Sequence, residues 1–371
     1  MEPTDVHAEG LDRVVVARTA ISMVDGEAGR LVLAGRAVED LAGVRFEAIV
    51  SRLWRAAAGP RPDPHAIVPA GLDETSLRTA LGAARRRAAT RLGDGGAWLQ
   101  LPVAMDAVRG AVALLHDDTP ALDVVATVAV ATAWWIAARR GVALPPPDGA
   151  RDHASDLLRM ITGEAAPAPA AALARYLVTV SDHGMNASTF AARVVTSTGA
   201  DPVSAVVAAL GALKGPLHGG APGPVLDMLD AVGEPARAHA WLQAQLDAGH
   251  RIMGMGHRIY RVRDPRAAAL EQAITSLEPG AGASRGGAAR LALARAVERE
   301  ATALLAARHP ERPLAANVEF YTAVLLDALE LPREAFTAIF ACGRVAGWLA
   351  HVEEQRRCGR LVRPQSQYVG D

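Results

Sequence analysis

The run from Val124 to Ala138 carries no charged residue and is closed by Arg139 and Arg140. It is shorter than the ~20 apolar residues that a bilayer-spanning helix needs, so it reads as a helix buried inside the protein. Its surroundings speak the same language. Apolar residues recur at i, i+3 and i+4 from Ala37 onward (Val38, Leu41, then Phe46, Ile49, Val50, Leu53 and Trp54), and helical patterns continue through Leu77–Leu92, Val103–Leu115 and Ala121–Ala138. Aromatic residues are only 4% of the chain while alanine is abundant, which favours closely packed helices over sheets. The fold class is therefore all-α. One strand signal is present near the N-terminus, after an acidic tail. Val14-Val15-Val16 and the segment Ala20–Gly26 read as short extended pieces meeting at an Asp25-Gly26 turn, a small hairpin.

A length of 371 residues exceeds what one core usually holds, so two domains, or one large domain with an insertion, are expected. The Pro145–Gly149 loop has helical, alanine-rich sequence on both sides and reads as a surface turn within one domain. A helix over Ala154–Thr162 ends at Gly163, a Pro/Ala linker covers Ala165–Ala171, and a helix follows over Ala172–Val180. Net charge is -1 and the arginines are scattered, which excludes the basic stripe of a nucleic-acid binder. Partners should be small molecules or a second copy. Lys214 is the sole lysine, leaving little room for lysine chemistry. Cys342 and Cys358 fit no metal or redox spacing, no signal peptide opens the chain, and the expected compartment is the cytoplasm.

Several polar segments interrupt the helices. Gly215-Pro216 stops an apolar helix over Val203–Leu213, and Gly219-Gly220 leave the backbone beside His218 bare, so a ligand has room to approach. Pro222 and Pro224 then favour a new helix through Val225–Val232, whose N-terminal potential would keep the imidazole neutral and suit it to donate to an oxyanion. A structural histidine in a tight turn is the competing reading. Ser181–Phe190 forms a polar knot between two apolar helices, and Arg251–Arg258 is a loop broken by Gly254 and Gly256. Asp264-Pro265-Arg266 starts a helix by capping rules, yet a cation in a first turn opposes the macrodipole, so Arg266 should face an anion, either an acidic side chain or a ligand carboxylate. Gly280–Gly287 looks superficially like a phosphate loop but lacks the preceding strand and the Gly-Lys-Ser/Thr ending.

Near the C-terminus, Ala335–Ala350 is helical with Arg344 as its only charge, which calls for an anionic partner. Glu319 lies between apolar neighbours, and burial there would raise its pKa toward that of a useful base. A bound carboxylate on Arg344 and an internal Glu319–Arg344 pair both fit; spacing does not choose between them. A metal site of His183, His218 and His257 is disfavoured, because no pair has helical ligand spacing and the arginines nearby would repel a cation.

Together these segments resemble the citrate synthase family from about Gly10 to Gly370. The likeness rests on Ser181-Asp182-His183 with Asn186–Phe190, on Gly215–Ala221, and on Gly254–Tyr260 followed by Asp264-Pro265-Arg266. It continues in Asn317–Tyr321, Gly343–Trp348 with Ala350-His351, and Arg363-Pro364 with Tyr368-Val369-Gly370, with weaker echoes at Ala20–Ser22 and Met160–Glu164.

The resemblance implies a helical homodimer with a large domain from residues 1–218 and 324–371 and a small domain from 219–323. It also implies oxaloacetate held by His183, His257, Arg266 and Arg344, with Arg363 contributed by the other subunit. The co-substrate would be a coenzyme A thioester along Arg251, Met253, Gly254, Met255, Gly256 and Asn317, with no tightly bound cofactor, no metal, no nucleic acid and no membrane. By the same resemblance Glu319 would be the base, His218 the donor to the enolate oxygen, and His257 the group that polarises and protonates the ketone. The sequence departs from the family pattern at four places. Glu319 stands for the usual aspartate, Pro222 for a frequent asparagine, Met255 for an aromatic and Gln365 for a basic residue. A longer acyl chain, propionyl-CoA giving 2-methylcitrate, is therefore the alternative substrate, and a relative without turnover a further one.

Overall fold

A computed structural model describes residues 11, 14–61, 63, 65–219, 222–277, 287–311 and 314–370. Among them the α-helices are α1 (Phe46–Ala58), α2 (Glu74–Leu92), α3 (Ala104–Ala113), α4 (Ala121–Arg139), α5 (His153–Thr162), α6 (Pro167–Val180) and α7 (Ala187–Ser197). They continue as α8 (Pro202–Leu213), α9 (Pro222–Val232), α10 (Ala238–Asp247), α11 (Pro265–Thr275), α12 (Gly287–Arg308), α13 (Val318–Ala328) and α14 (Phe336–Cys358). The all-α expectation holds.

Helix α4 is buried from Ala121 to Ala137, against α2, α3, α5 and α14. Both α4 and the stretch Arg333–Cys358 are long and apolar enough to cross a membrane, but 94% of each apolar window is buried inside the protein. Helix α14 occupies the centre, touching α1, α4, α6, α7 and α8, with Trp348 fully buried and Trp54 of α1 donating to its Ala346 carbonyl (3.0 Å). A second group is built from α11 on α13, α10 on α12 and α9 on α13, and joins the first where α6 packs on α11 and α13.

Three local expectations are corrected. Helix α6 starts at Pro167, so the supposed Pro/Ala linker is mostly helix; Pro167 and Pro169 fall in the first turn, where the missing N–H groups have no intrahelical acceptor to lose. Regular helix begins at Phe46 rather than Ala37, with only a 3₁₀ turn at Glu39–Leu41 before it. The N-terminal hairpin exists, but Val14–Val16 lies outside it. Strand β1 (Ser22–Asp25) pairs antiparallel with β2 (Arg30–Leu33), Ser22 opposite Leu33 and Asp25 opposite Arg30, and β2 pairs with β3 (Arg36–Ala37). The second turn is a tight one through Ala34 (φ 44°) and Gly35 (φ 82°), the geometry that two-residue hairpins prefer. Leu31 and Leu33 point inward, whereas Val15 is 85% exposed, so burial decides which segment pairs. Gly220, Ala221 and the phosphate-loop-like residues 280–286 lie outside the described residues.

Candidate active site

Six segments converge where the two groups of helices meet. The C-terminus of α6 leads into Ser181–His183; α8 leads into the loop with His218; the loop before α11 holds His257; Arg266, Glu319 and Arg344 sit on α11, α13 and α14. The close fit of α6 on α14 depends on the glycines either side of Arg344. A Cβ at Gly343 would stand 2.8 Å from the Leu177 carbonyl oxygen, and one at Gly347 would be 3.1 Å from the Asp182 Cβ.

His183 is 6% exposed and its Nε2 lies 3.1 Å from the Tyr260 hydroxyl. Its ring is 5.6 Å from that of His257, edge to face. His257 Nδ1 accepts the backbone N–H groups of Ile259 (3.0 Å) and Tyr260 (3.1 Å), which leaves the proton on Nε2. Burial, then the positive charge of Arg266, lowers its pKa to about 4. His183 is pushed well down by burial and by Arg266.

His218 Nε2 sits 2.8 Å from the Ser188 hydroxyl, and the Ser188 backbone N–H, which can only donate, also points at Nε2 from 3.4 Å. We therefore assign the His218 proton to Nδ1. Trp348 Nε1 donates to the same Ser188 hydroxyl (3.1 Å) and fixes it. The pKa of His218 falls to about 4, first through burial and then through the positive charge of Arg344. All three imidazoles are uncharged at pH 7.

Arg266 finds its anion two residues back. Its Nε and Nη2 bond the Asp264 carboxylate (3.0 and 2.7 Å), while Asp264 also caps α11 through the Arg266 N–H and accepts the Val318 N–H (3.1 Å). Arg266 Nη2 is 3.5 Å from His257 Nε2. Among the described residues Arg344 makes one hydrogen bond, Nε donating to the Val180 carbonyl (2.6 Å), and its guanidinium lies over the Phe340 ring at 4.7 Å. Its Nη2 is buried with no partner among them.

Glu319 is the complement of that orphan. Asn317 caps α13 by accepting the Glu319 N–H (3.0 Å), so the side chain leaves the first turn with its Oε2 buried and unpartnered. No ion pair joins it to Arg344 among the described residues, so the internal pair that spacing allowed is not formed. Burial raises its pKa to about 7, despite the opposing pull of Arg266 and Arg344. A carboxyl half-ionised at neutral pH is matched to removing a proton from carbon. The neighbouring loop is zipped onto the same segment: Gly256 N–H to Ala315 O (2.7 Å), Asn317 N–H to Gly254 O (3.0 Å) and Asn317 Nδ2 to Gly256 O (2.8 Å). Gly254 is buried there, Met253 and Met255 are half-buried, and Arg251 is exposed. Arg363 is also exposed, in the irregular segment after α14.

Sequence reasoning gave no separate role to Ser188, Trp348 or Tyr260. Tyr260 has a local signal, three residues after His257. Ser188 and Trp348 reach His218 only through tertiary packing.

The family profile described as "Citrate synthase, C-terminal domain" matches residues 10–365. A citrate synthase of Haloferax volcanii is 34% identical over 98% of this chain and 95% of its own length. A 2-methylcitrate synthase of Mycobacterium tuberculosis is 35% identical over 98% of this chain and 90% of its own. Among solved structures, the ternary complex of citrate synthase from Thermoplasma acidophilum with carboxymethyl coenzyme A and oxaloacetate superposes with a TM-score of 0.81, at 26% identity, covering 98% of this chain and 96% of that one.

Proposed function

The chain belongs to the citrate synthase family, and on that premise we propose that it condenses acetyl-CoA with oxaloacetate and hydrolyses the product thioester to citrate and coenzyme A. The observation that carries this reading is the buried Glu319 carboxyl, whose Oε2 has no partner among the described residues although it feels the charge of Arg344, together with the unfilled Arg344 Nη2: one group waits for a proton and the other for a carboxylate.

In the proposed sequence Glu319 takes a proton from the α-carbon of the acyl thioester. The enolate oxygen accepts a hydrogen bond from neutral His218 Nδ1–H, a tautomer that the Ser188 backbone N–H maintains by donating to Nε2. The new carbon nucleophile attacks the oxaloacetate ketone, and His257 Nε2–H passes its proton to the alkoxide. Water then cleaves the thioester, which makes the overall reaction irreversible. Arg344 and Arg266 hold the oxaloacetate carboxylates, with His183 on its ketone side. The CoA chain would follow Arg251, Met253, Gly254, Met255, Gly256 and Asn317, and no tightly bound cofactor is required.

The working unit is proposed as a homodimer in which Arg363 acts in trans. Support comes from the exposed position of Arg363 and from Leu361, Tyr368 and Val369 beside it, exposed by 58%, 82% and 88%. The domain limits 1–218, 219–323 and 324–371, a cytoplasmic location consistent with two free cysteines, and a place in the tricarboxylic acid cycle belong to the same proposal.

Free thiol should appear only when oxaloacetate and an acyl-CoA are both present, with acetyl-CoA preferred over propionyl- and butyryl-CoA. Preference for propionyl-CoA would move the reading to 2-methylcitrate, as the Mycobacterium tuberculosis relative suggests. Oxaloacetate binding without thiol release from any of the three would overturn turnover itself.

A further inference from the structure

The N-terminal sheet reaches the backbone beside both imidazoles assigned to oxaloacetate. Ser22, the first residue of β1, donates its hydroxyl to Asp182 and accepts the Gly184 N–H (3.1 Å), so it holds the residues on either side of His183. At the other end of the strand the Gly26 carbonyl accepts the Arg261 N–H (2.9 Å). Gly26 does not occupy the left-handed region, so glycine is required there by proximity: a Cβ would stand 2.7 Å from the Ile259 carbonyl carbon and collide with its oxygen. Gly29, at the far side of the turn, does lie in the left-handed region (φ 63°), and a Cβ there would meet the Val262 side chain at 2.5 Å. Ile259 and Tyr260 are the residues whose N–H groups set the His257 tautomer.

A hairpin that only covered the site would need apolar contact and nothing more. Here polar bonds are made at two points, one per loop, and each point lies within four residues of an imidazole. Strand β1 has no slack between them, because its four residues are paired in register with β2. We propose that the β1–β2 hairpin is a gauge that fixes the separation of His183 and His257, with Ser22 and Gly26 as positioning residues for oxaloacetate. The proposal rests on the reading that these imidazoles take that substrate. It predicts that moving Ile259 by the ~1 Å a new Cβ demands costs on the order of 10²-fold in kcat/KM for oxaloacetate.

Four variants of the full-length protein test it: Gly26→Ala, Ser22→Ala, Ser22→Thr and, as control, Gly35→Ala. The control lies in the same sheet with φ 82° and nothing within 4 Å of a Cβ, so it strains the sheet without touching either loop. Expected results are a raised oxaloacetate KM and lowered kcat/KM in Gly26→Ala with acetyl-CoA KM unchanged, about a tenfold smaller loss in Ser22→Ala that Ser22→Thr restores, and a lowered Tm without any KM change in Gly35→Ala. Gly26→Ala with wild-type oxaloacetate parameters, or Gly35→Ala with the same KM change, overturns the gauge. A wild-type protein that neither binds nor consumes oxaloacetate would instead sink the functional reading. In that case the imidazole ¹⁵N signals of His257 still decide, since Gly26→Ala must perturb its Nδ1 hydrogen bonds, and unchanged signals overturn the gauge.

Discussion

Two turns apart on α14, two buried charged clusters follow opposite rules. Around His351 every polar atom that counts is engaged. Arg193 donates to His351 Nδ1 (3.1 Å), to Gln355 Oε1 (3.0 Å) and to Glu354, Glu354 accepts the Ala20 N–H (2.9 Å), and His351 Nε2 donates to Asp182 (3.1 Å). Burial alone would raise the Asp182 pKa, but His351 and Arg344 hold it at about 2. Around Arg344, by contrast, Nη2 and Glu319 Oε2 are desolvated and left over. The first cluster offsets its desolvation within the chain; the second can do so only with a ligand. A satisfied network specifies structure, and an unsatisfied one marks where chemistry is expected.

The contrast breaks most sharply at Arg193. Arg193→Met leaves Glu354 buried without its cation and should cost about 3–5 kcal/mol in urea unfolding. Arg344→Met should change stability by less than about 1 kcal/mol in the ligand-free protein, while oxaloacetate affinity collapses. Equal losses of stability would erase the distinction between the clusters.

Glu319→Gln sharpens the comparison from the other side. Thiol release should fall by at least ~10²-fold with oxaloacetate binding retained. Its stability effect has a definite sign. The folded pKa of about 7 lies above the ordinary 4.5, so the stability associated with this group is present below about pH 4.5 and lost as pH rises through 7. At pH 8 the glutamine variant should therefore be the more stable protein, by up to ~3 kcal/mol at 1.36 kcal/mol per pH unit, with the difference vanishing in acid. A variant no more stable than wild type at pH 8 would mean that Glu319 is not desolvated.

The smallest expected effect is in the pH profile. Activity should decline about tenfold per unit as pH drops below 7, following Glu319, and the histidines at about 4 should add no second limb above pH 5. An acid limb that persists unmoved in Glu319→Asp would assign it to another group.

Much of this was legible from the chain. The spacing around Val124–Ala138 and Ala335–Ala350 located α4 and the core of α14, and Asp264-Pro265-Arg266 located a capped helix start, because apolar periodicity and capping are set within a few residues. Pro167 and Pro169 misled, since the same residue that ends a helix also opens one. Glu319 and Arg344 were recognisable as chemically out of place in apolar helices. Whether they pair could not be read, since the answer depends on how α6, α13 and α14 approach one another.

The sequence by itself determined most of the helices, though not α10, α12 or the starts of α1 and α6, together with the inventory of reactive groups, because these follow from interactions no longer than one helical turn. Tertiary structure alone decided which groups are free. The Ser188 backbone N–H fixes the His218 tautomer from 30 residues away, Trp348 fixes the Ser188 hydroxyl from 160, and Ser22 reaches Asp182 and Gly184 across more than 150. Burial, which raises Glu319 and lowers the imidazoles, is a property of everything packed around an atom, and no stretch of sequence near that atom contains it.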